Sequence, residues 1–190
     1  VNTVQTNKYT DKILVDRILH GDRQAFTTLM KETEGLTAQI IFKMVPVPQD
    51  RKDIAQDVYL KVYQNLRSFR FESKLSTWIA QIAYNTCLKH LRKKKIILSD
   101  TAFTEINEPA GGDLLELVFS KERLAIIKTE VDNMPILYKT IITLYHTEEL
   151  SYAEIMQITG LPAGTVKSYL FRARKMLRGV LLRNYKREAL

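Results

Sequence analysis

A single cysteine among 190 residues, Cys87, excludes an internal disulfide framework and any zinc site built from several thiolates. Set among apolar neighbours in a helical pattern, it reads as a small core residue rather than a reactive thiol. No apolar run is long enough to span a bilayer, and no charged-then-apolar segment opens the chain. A soluble, cytoplasmic protein with no membrane insertion is expected. The three histidines, His20, His90 and His146, fall at no spacing that suits a metal or a catalytic triad, and no glycine-rich loop is present to cradle a phosphate. The expectation is therefore no enzyme, no cofactor and no metal. Period-two strand patterns and internal repeats are missing as well. What the chain has in excess is positive charge: 29 lysines and arginines against 21 acidic residues, a formal net charge of +8. Polyanions suit such a surface, whether nucleic acid or an anionic membrane.

The most legible stretch runs from Leu150 to Arg178. Ser151 is a favourable N-cap, and Glu154 three residues on completes a capping box that starts a short helix. Gly160 stops it, and Thr159-Gly160-Leu161-Pro162 supplies a tight turn before a second helix. On that helix Val166, Leu170, Ala173 and Leu177 share one face, leaving Lys167, Ser168, Phe171, Arg172, Arg174, Lys175 and Arg178 mostly outside. Cations, a hydroxyl and an aromatic on one helix suit a duplex major groove. A basic helix face alone is more often a solvated surface, but that plainer account explains the charge and not the punctuation ahead of it. Met156, four residues before Gly160, stands where helix-turn-helix pairs usually keep a small side chain, and predicts a slightly splayed or repacked pair.

Towards the N-terminus, residues 1 to 9 read as a loose polar leader. A short helix follows from Thr10 and Asp11 to Leu19, with Ile13, Leu14 and Ile18 inward, and Asp22 caps the next. That second helix keeps apolar spacing from Ala25 to Met44 until Pro46 and Pro48. From Asp50 to Leu66, Ile54, Val58, Val62 and Leu66 form a core stripe, while Asp53, Asp57, Leu60, Lys61 and Gln64 form a polar stripe containing one apolar residue. A lone exposed leucine is ordinary; an apolar anchor inside a charged rim is also what a protein-docking face looks like. Asp53 with Asp57 lacks further ligands for a metal. A fourth helix, capped by Ser76 or Thr77, buries Trp78, Ile79, Ile82, Ala83 and Leu91 and turns Gln81, Tyr84, Asn85, Lys89 and Arg92 outward before Lys93-Lys94-Lys95. Aromatics, an amide and a cationic run suit single-stranded nucleic acid. For Trp78 the core and functional readings carry equal weight.

Between Ser99 and Ser120 the character changes: five acidic residues, no lysine or arginine, and Pro109-Ala110-Gly111-Gly112 in the middle. This segment reads as an acidic flexible linker. The expected fold is all-α, with two small helical domains, residues 10–96 and 114–185, joined by linker 97–113, the second ending in the helix-turn-helix.

With both halves in view the chain resembles the bacterial sigma factors of the extracytoplasmic-function group, which keep only the second and fourth conserved regions. The resemblance rests on Asp53-Ile54-Ala55-Gln56-Asp57-Val58-Tyr59-Leu60-Lys61-Val62-Tyr63, Ser76-Thr77-Trp78-Ile79 and Ile82-Ala83-Tyr84-Asn85. In the second half it rests on Leu150-Ser151-Tyr152, Gly160-Leu161-Pro162, Gly164-Thr165-Val166-Lys167-Ser168 and Arg172-Ala173-Arg174. It implies that Asp53, Gln56, Asp57, Leu60 and Lys61 dock on core RNA polymerase. It implies that Trp78, Tyr84, Asn85, Lys89, Arg92 and Lys93 meet the minus-ten promoter element, where a non-template base leaves the stack. Thr165, Lys167, Ser168, Phe171, Arg172, Arg174 and Lys175 would then read the minus-thirty-five element as duplex. Control by an anti-sigma factor is also usual in such proteins. Tyr169 departs from the pattern, standing where a basic residue is frequent. Two rival readings remain at this stage: a dimeric repressor or activator working without polymerase, and a nucleic-acid-processing enzyme with a metal on Asp53 and Asp57.

Overall fold

The computed structural model describes residues 2–94 and 121–188, with side chains from 10 to 94 and from 125 to 182. Among the described residues the chain is all-helical: eight α-helices, one 3-10 turn and no strand. The first half comprises α1 (Asn2–Leu19), α2 (Arg23–Met44), α3 (Pro48–Asn65), the 3-10 turn Leu66–Ser68 and α4 (Leu75–Lys93). The second comprises α5 (Lys121–Asn133), α6 (Ile136–His146), α7 (Tyr152–Thr159) and α8 (Ala163–Glu188). The acidic linker of the sequence reading lies outside the described residues.

Local chemistry accounts for most helix boundaries. Asp22 caps α2, accepting from the backbone N–H groups of Gln24 and Ala25. Those bonds, Ala25 first, together with Arg17, hold its carboxyl below the usual carboxylate range. Pro48 opens α3, where its missing N–H is not needed. The capping box of α7 is complete, with Ser151 and Glu154 each satisfying the other's backbone N–H, and Gly160 ends the helix in the left-handed region at φ 70°.

Three expectations are corrected here. Helix α1 begins at Asn2, so residues 2–9 are helix rather than a loose leader. Ile13 is exposed, and Val15 joins Ile18 in the core instead. Neither Ser76 nor Thr77 caps α4: the helix starts at Leu75, whose N–H donates to the Asp11 carboxylate of α1 at 3.0 Å. The cap comes from 64 residues away.

Ile54, Val58, Val62 and Leu66 are all buried, packing α3 against α2 and α4. Cys87 is buried with them, and loss of solvent pushes its thiol up to about 12. Helix α4 is the hub of the fold, because it packs not only on α2 and α3 but also on α7, while α2 meets α6. Two ion pairs close this seam between the halves, Lys43 with Asp132 and Lys74 with Glu154. Burial works against the Glu154 charge, but hydrogen bonds from Lys74 and Ser151 outweigh it and hold the carboxyl below its ordinary range.

Candidate nucleic-acid interface

Three surfaces carry the predicted residues. On α3, Asp53, Gln56, Asp57 and Leu60 are all exposed, Leu60 by 54%. Tyr63, one helical turn beyond Leu60, is 57% exposed and packs edge-on against Phe26 of α2. Sequence reasoning placed one apolar residue on this stripe and missed Tyr63, although its spacing from Leu60 was the available signal. Lys61 leaves the stripe. Its ammonium lies 3.1 Å from the Asp57 carboxylate and 3.1 Å from the Thr86 hydroxyl, so it leans towards α4.

The second surface belongs to α4. Asn85, Lys89, Arg92 and Lys93 are exposed, as expected from their spacing. Trp78 is half-buried: one side rests on Phe69, which in turn meets Phe71, and the rest of the indole reaches a recess of about 390 Å³ between α3 and α4. Lys61, Asn65, Ser68, Ile82, Asn85, Thr86 and Lys89 complete that recess. The ring is thus packed against the core on one side and accessible on the other. Asn65 and Thr86 were not foreseen.

Tyr84 is a correction. It is only 2% exposed, not on the outer face, in a helix that other elements cover on several sides. Burial, with the neighbouring Tyr169 phenol second, pushes its hydroxyl up to about 12. Tyr169 itself is 9% exposed and lies edge-on against Tyr138 of α6. The residue that departs from the family pattern is therefore a packing residue in this fold.

The third surface is α8. Val166, Leu170, Ala173 and Leu177 are buried, and Lys167 and Phe171 are exposed, Phe171 by 59%. Thr165, Ser168, Arg172 and Lys175 are half-exposed beside them. Arg174 sits on the flank rather than the crest. Its guanidinium lies over the Tyr145 ring, and its Nε donates to His146 Nε2 at 3.1 Å, which bolts α8 to the end of α6. Met156 is half-buried against the core, and the Thr165 and Val166 N–H groups bond the Pro162 carbonyl in the first turn of α8.

Comparison with known proteins decides what these surfaces belong to. The family model for sigma-70 region 2 matches residues 29–96, and that for sigma-70 region 4 matches residues 124–177. The sigma-E factor of Escherichia coli K12 is 34% identical over 181 residues, covering 90% of this chain and 94% of that protein. This chain belongs to the extracytoplasmic-function sigma factors. It is a promoter-recognising sigma factor of RNA polymerase. The sigma-E factor of Haemophilus influenzae is likewise 34% identical, over 88% of this chain and 93% of its own. Two solved structures share the fold. CnrH in complex with the cytosolic domain of CnrY has a TM-score of 0.63 at 20% identity, over 90% of this chain and 96% of that one. The sigma factor RpoE in complex with the anti-sigma factor NepR, from Bartonella quintana, has a TM-score of 0.62 at 22% identity, over 82% and 96%. Region 2 of this sigma factor thus contains the α3 stripe and the α4 recess, and region 4 contains the helix-turn-helix. Among the described residues there is no group of side chains placed to hold a metal, and no helix long and apolar enough to cross a membrane.

Proposed function

We propose a division of labour among the three surfaces. The exposed stripe of α3, with Leu60 as anchor and Asp53, Gln56 and Asp57 as its charged and polar rim, docks on core polymerase, and Tyr63 extends the anchor. The recess beside Trp78 and Asn85 receives a base extruded from the non-template strand at the minus-ten element, while Lys89, Arg92 and Lys93 follow the phosphates. The crest of α8 enters the major groove at the minus-thirty-five element through Lys167, Ser168, Phe171 and Arg172, with Thr165 and Lys175 at its borders. Arg174 steadies α8 from the flank. Opening is driven by binding energy from strand capture, with no chemical step by the chain. The observation that carries this reading is the recess on α4, which joins a partly accessible ring, an amide and cations at the scale of one nucleotide.

Both solved neighbours are complexes with a partner protein, one of them a sigma factor with an anti-sigma factor. The same kind of control is proposed for this chain, acting in the bacterial cytoplasm. Residues 97–113 are proposed as the connector between the regions, their acidity letting them lie along a path made for nucleic acid. The test is transcription in vitro by core polymerase of the same host on a library of its genomic fragments. Initiation that requires the chain, fails with Leu60→Arg, and loses bubble opening but not duplex binding with Asn85→Ala supports the reading. Arg172→Ala is expected to weaken the duplex contact by about 1–3 kcal/mol. The same defect from Asn85→Ala and Arg172→Ala, read by permanganate footprinting, would refute the division.

A further inference from the structure

Lys61 departs in the fold from its place in the sequence pattern. It belongs by spacing to the polymerase-facing stripe of α3, yet its side chain is only 32% exposed and lines the recess on α4. An ammonium has three N–H donors. One is directed at Asp57 Oδ2 and one at Thr86 Oγ1, each at 3.1 Å. The Thr86 hydroxyl has its own proton committed to the Ile82 carbonyl, 2.7 Å away, so it serves Lys61 as an acceptor. The lysine is thereby tethered from both helices, and its third donor has no partner among the described residues. Asn85 and Lys89 line the same recess. The chemistry that fits is a nucleotide unit: a flat base beside Trp78 and the Asn85 amide, with its phosphate between two ammonium groups. A flexible lysine loses side-chain freedom when it is fixed, and Asp57 and Thr86 have already fixed this one.

We propose that Lys61 is a strand-contacting residue of the minus-ten recess, its ammonium presented to a non-template phosphate by Asp57 and Thr86, and that it is not a polymerase-docking residue. This rests on the reading of the recess given above. Asp57 then has two duties, facing the polymerase with one edge and positioning Lys61 with the other. Thr86 is a positioning residue only.

The experiment uses holoenzyme assembled from core polymerase and the full chain. The probe is a fluorescein-labelled non-template oligonucleotide carrying the minus-ten element of a promoter recovered in the transcription assay. Lys61→Met is expected to weaken oligonucleotide binding about tenfold at low salt. It should also make the slope of log affinity against log salt shallower by about 0.7, the value for one phosphate contact on a single strand. Lys61→Arg is expected to restore the slope, and Thr86→Val to weaken binding while leaving the slope close to wild type. Core polymerase affinity should stay within twofold for all three. Loss of core binding by Lys61→Met with an unchanged oligonucleotide slope would overturn the proposal and return Lys61 to the docking face. No change in either quantity would reduce it to a surface ion pair. If wild-type holoenzyme bound the minus-ten oligonucleotide no better than a scrambled one, the recess reading itself would fall, whatever Lys61→Met did.

Discussion

Reversing the charge at Lys43 tests whether the ion pairs of the seam hold the two regions together. Lys43 is only 12% exposed and faces Asp132, which is 48% exposed. Removing such a pair costs up to about 1 kcal/mol. Placing a second carboxylate there adds a repulsion of similar size, softened because Lys139 and Arg51 bear on the same spot. Lys43→Glu should therefore shift the balance towards separated regions by about 1–2 kcal/mol, roughly 5- to 30-fold. Lys74→Glu, against Glu154, acts on a different pair of elements and should add about 1 kcal/mol independently. The motive for separation is geometric. The minus-ten and minus-thirty-five elements lie about 25 base pairs apart, roughly 85 Å of duplex at about 3.4 Å per step. A compact chain of this length has a radius of gyration of about 16 Å. Energy transfer between dyes on Arg67→Cys and Lys128→Cys reports the distance. Both positions are exposed, while buried Cys87 should stay unlabelled. Transfer is expected to fall in the doubly reversed chain, and to recover in Lys43→Glu when Asp132→Lys is added. Equal transfer in wild type, Lys43→Glu and the doubly reversed chain would show that the ion pairs do not hold the seam.

Three further outcomes are expected. Ser151→Ala removes half of the α7 capping box and should destabilise region 4 by about 1 kcal/mol, read as a lower melting temperature by circular dichroism. His146 has its pKa lowered, by burial first and by Arg174 second, so the unfolded chain takes up its proton before the folded one does as pH falls. Its contribution is thus full above about pH 6.5 and is lost below it. Wild type should accordingly lose more thermal stability between pH 7.5 and 5.5 than His146→Gln. Cys87, with its thiol pushed up to about 12 inside the core, should react with a thiol reagent only as fast as the surrounding helices open.

Legibility in the sequence followed the range of the interactions. The core stripes of α3 and α8 were readable because helical period alone decides which face is apolar, and the α7 box because a cap is made within four residues. Tyr84 was not readable: its own helix leaves it outward, and packing from the second half, where Tyr169 of α8 is its neighbour, decides its burial. Arg174 shares the basic composition of the α8 crest, but the position of the α6 terminus decides that it braces the helix instead. Lys61 is the same kind of case, assigned by its spacing to one helix face and tethered by a threonine on another helix. Of the candidate sites, the exposed members of the α3 and α8 faces were foreseen, whereas the recess walls from Asn65 and Thr86 depended on how α3 crosses α4.

The start of α4 has no cap of its own and borrows one from Asp11 on α1. The helix proposed to hold the melted strand is in this sense begun by a remote hand. Loosening α1 would unlatch the first turn of α4, just ahead of Trp78, without disturbing any residue proposed to meet DNA. Helix α1 thus bears on the first turn of α4 from outside both proposed DNA-reading surfaces.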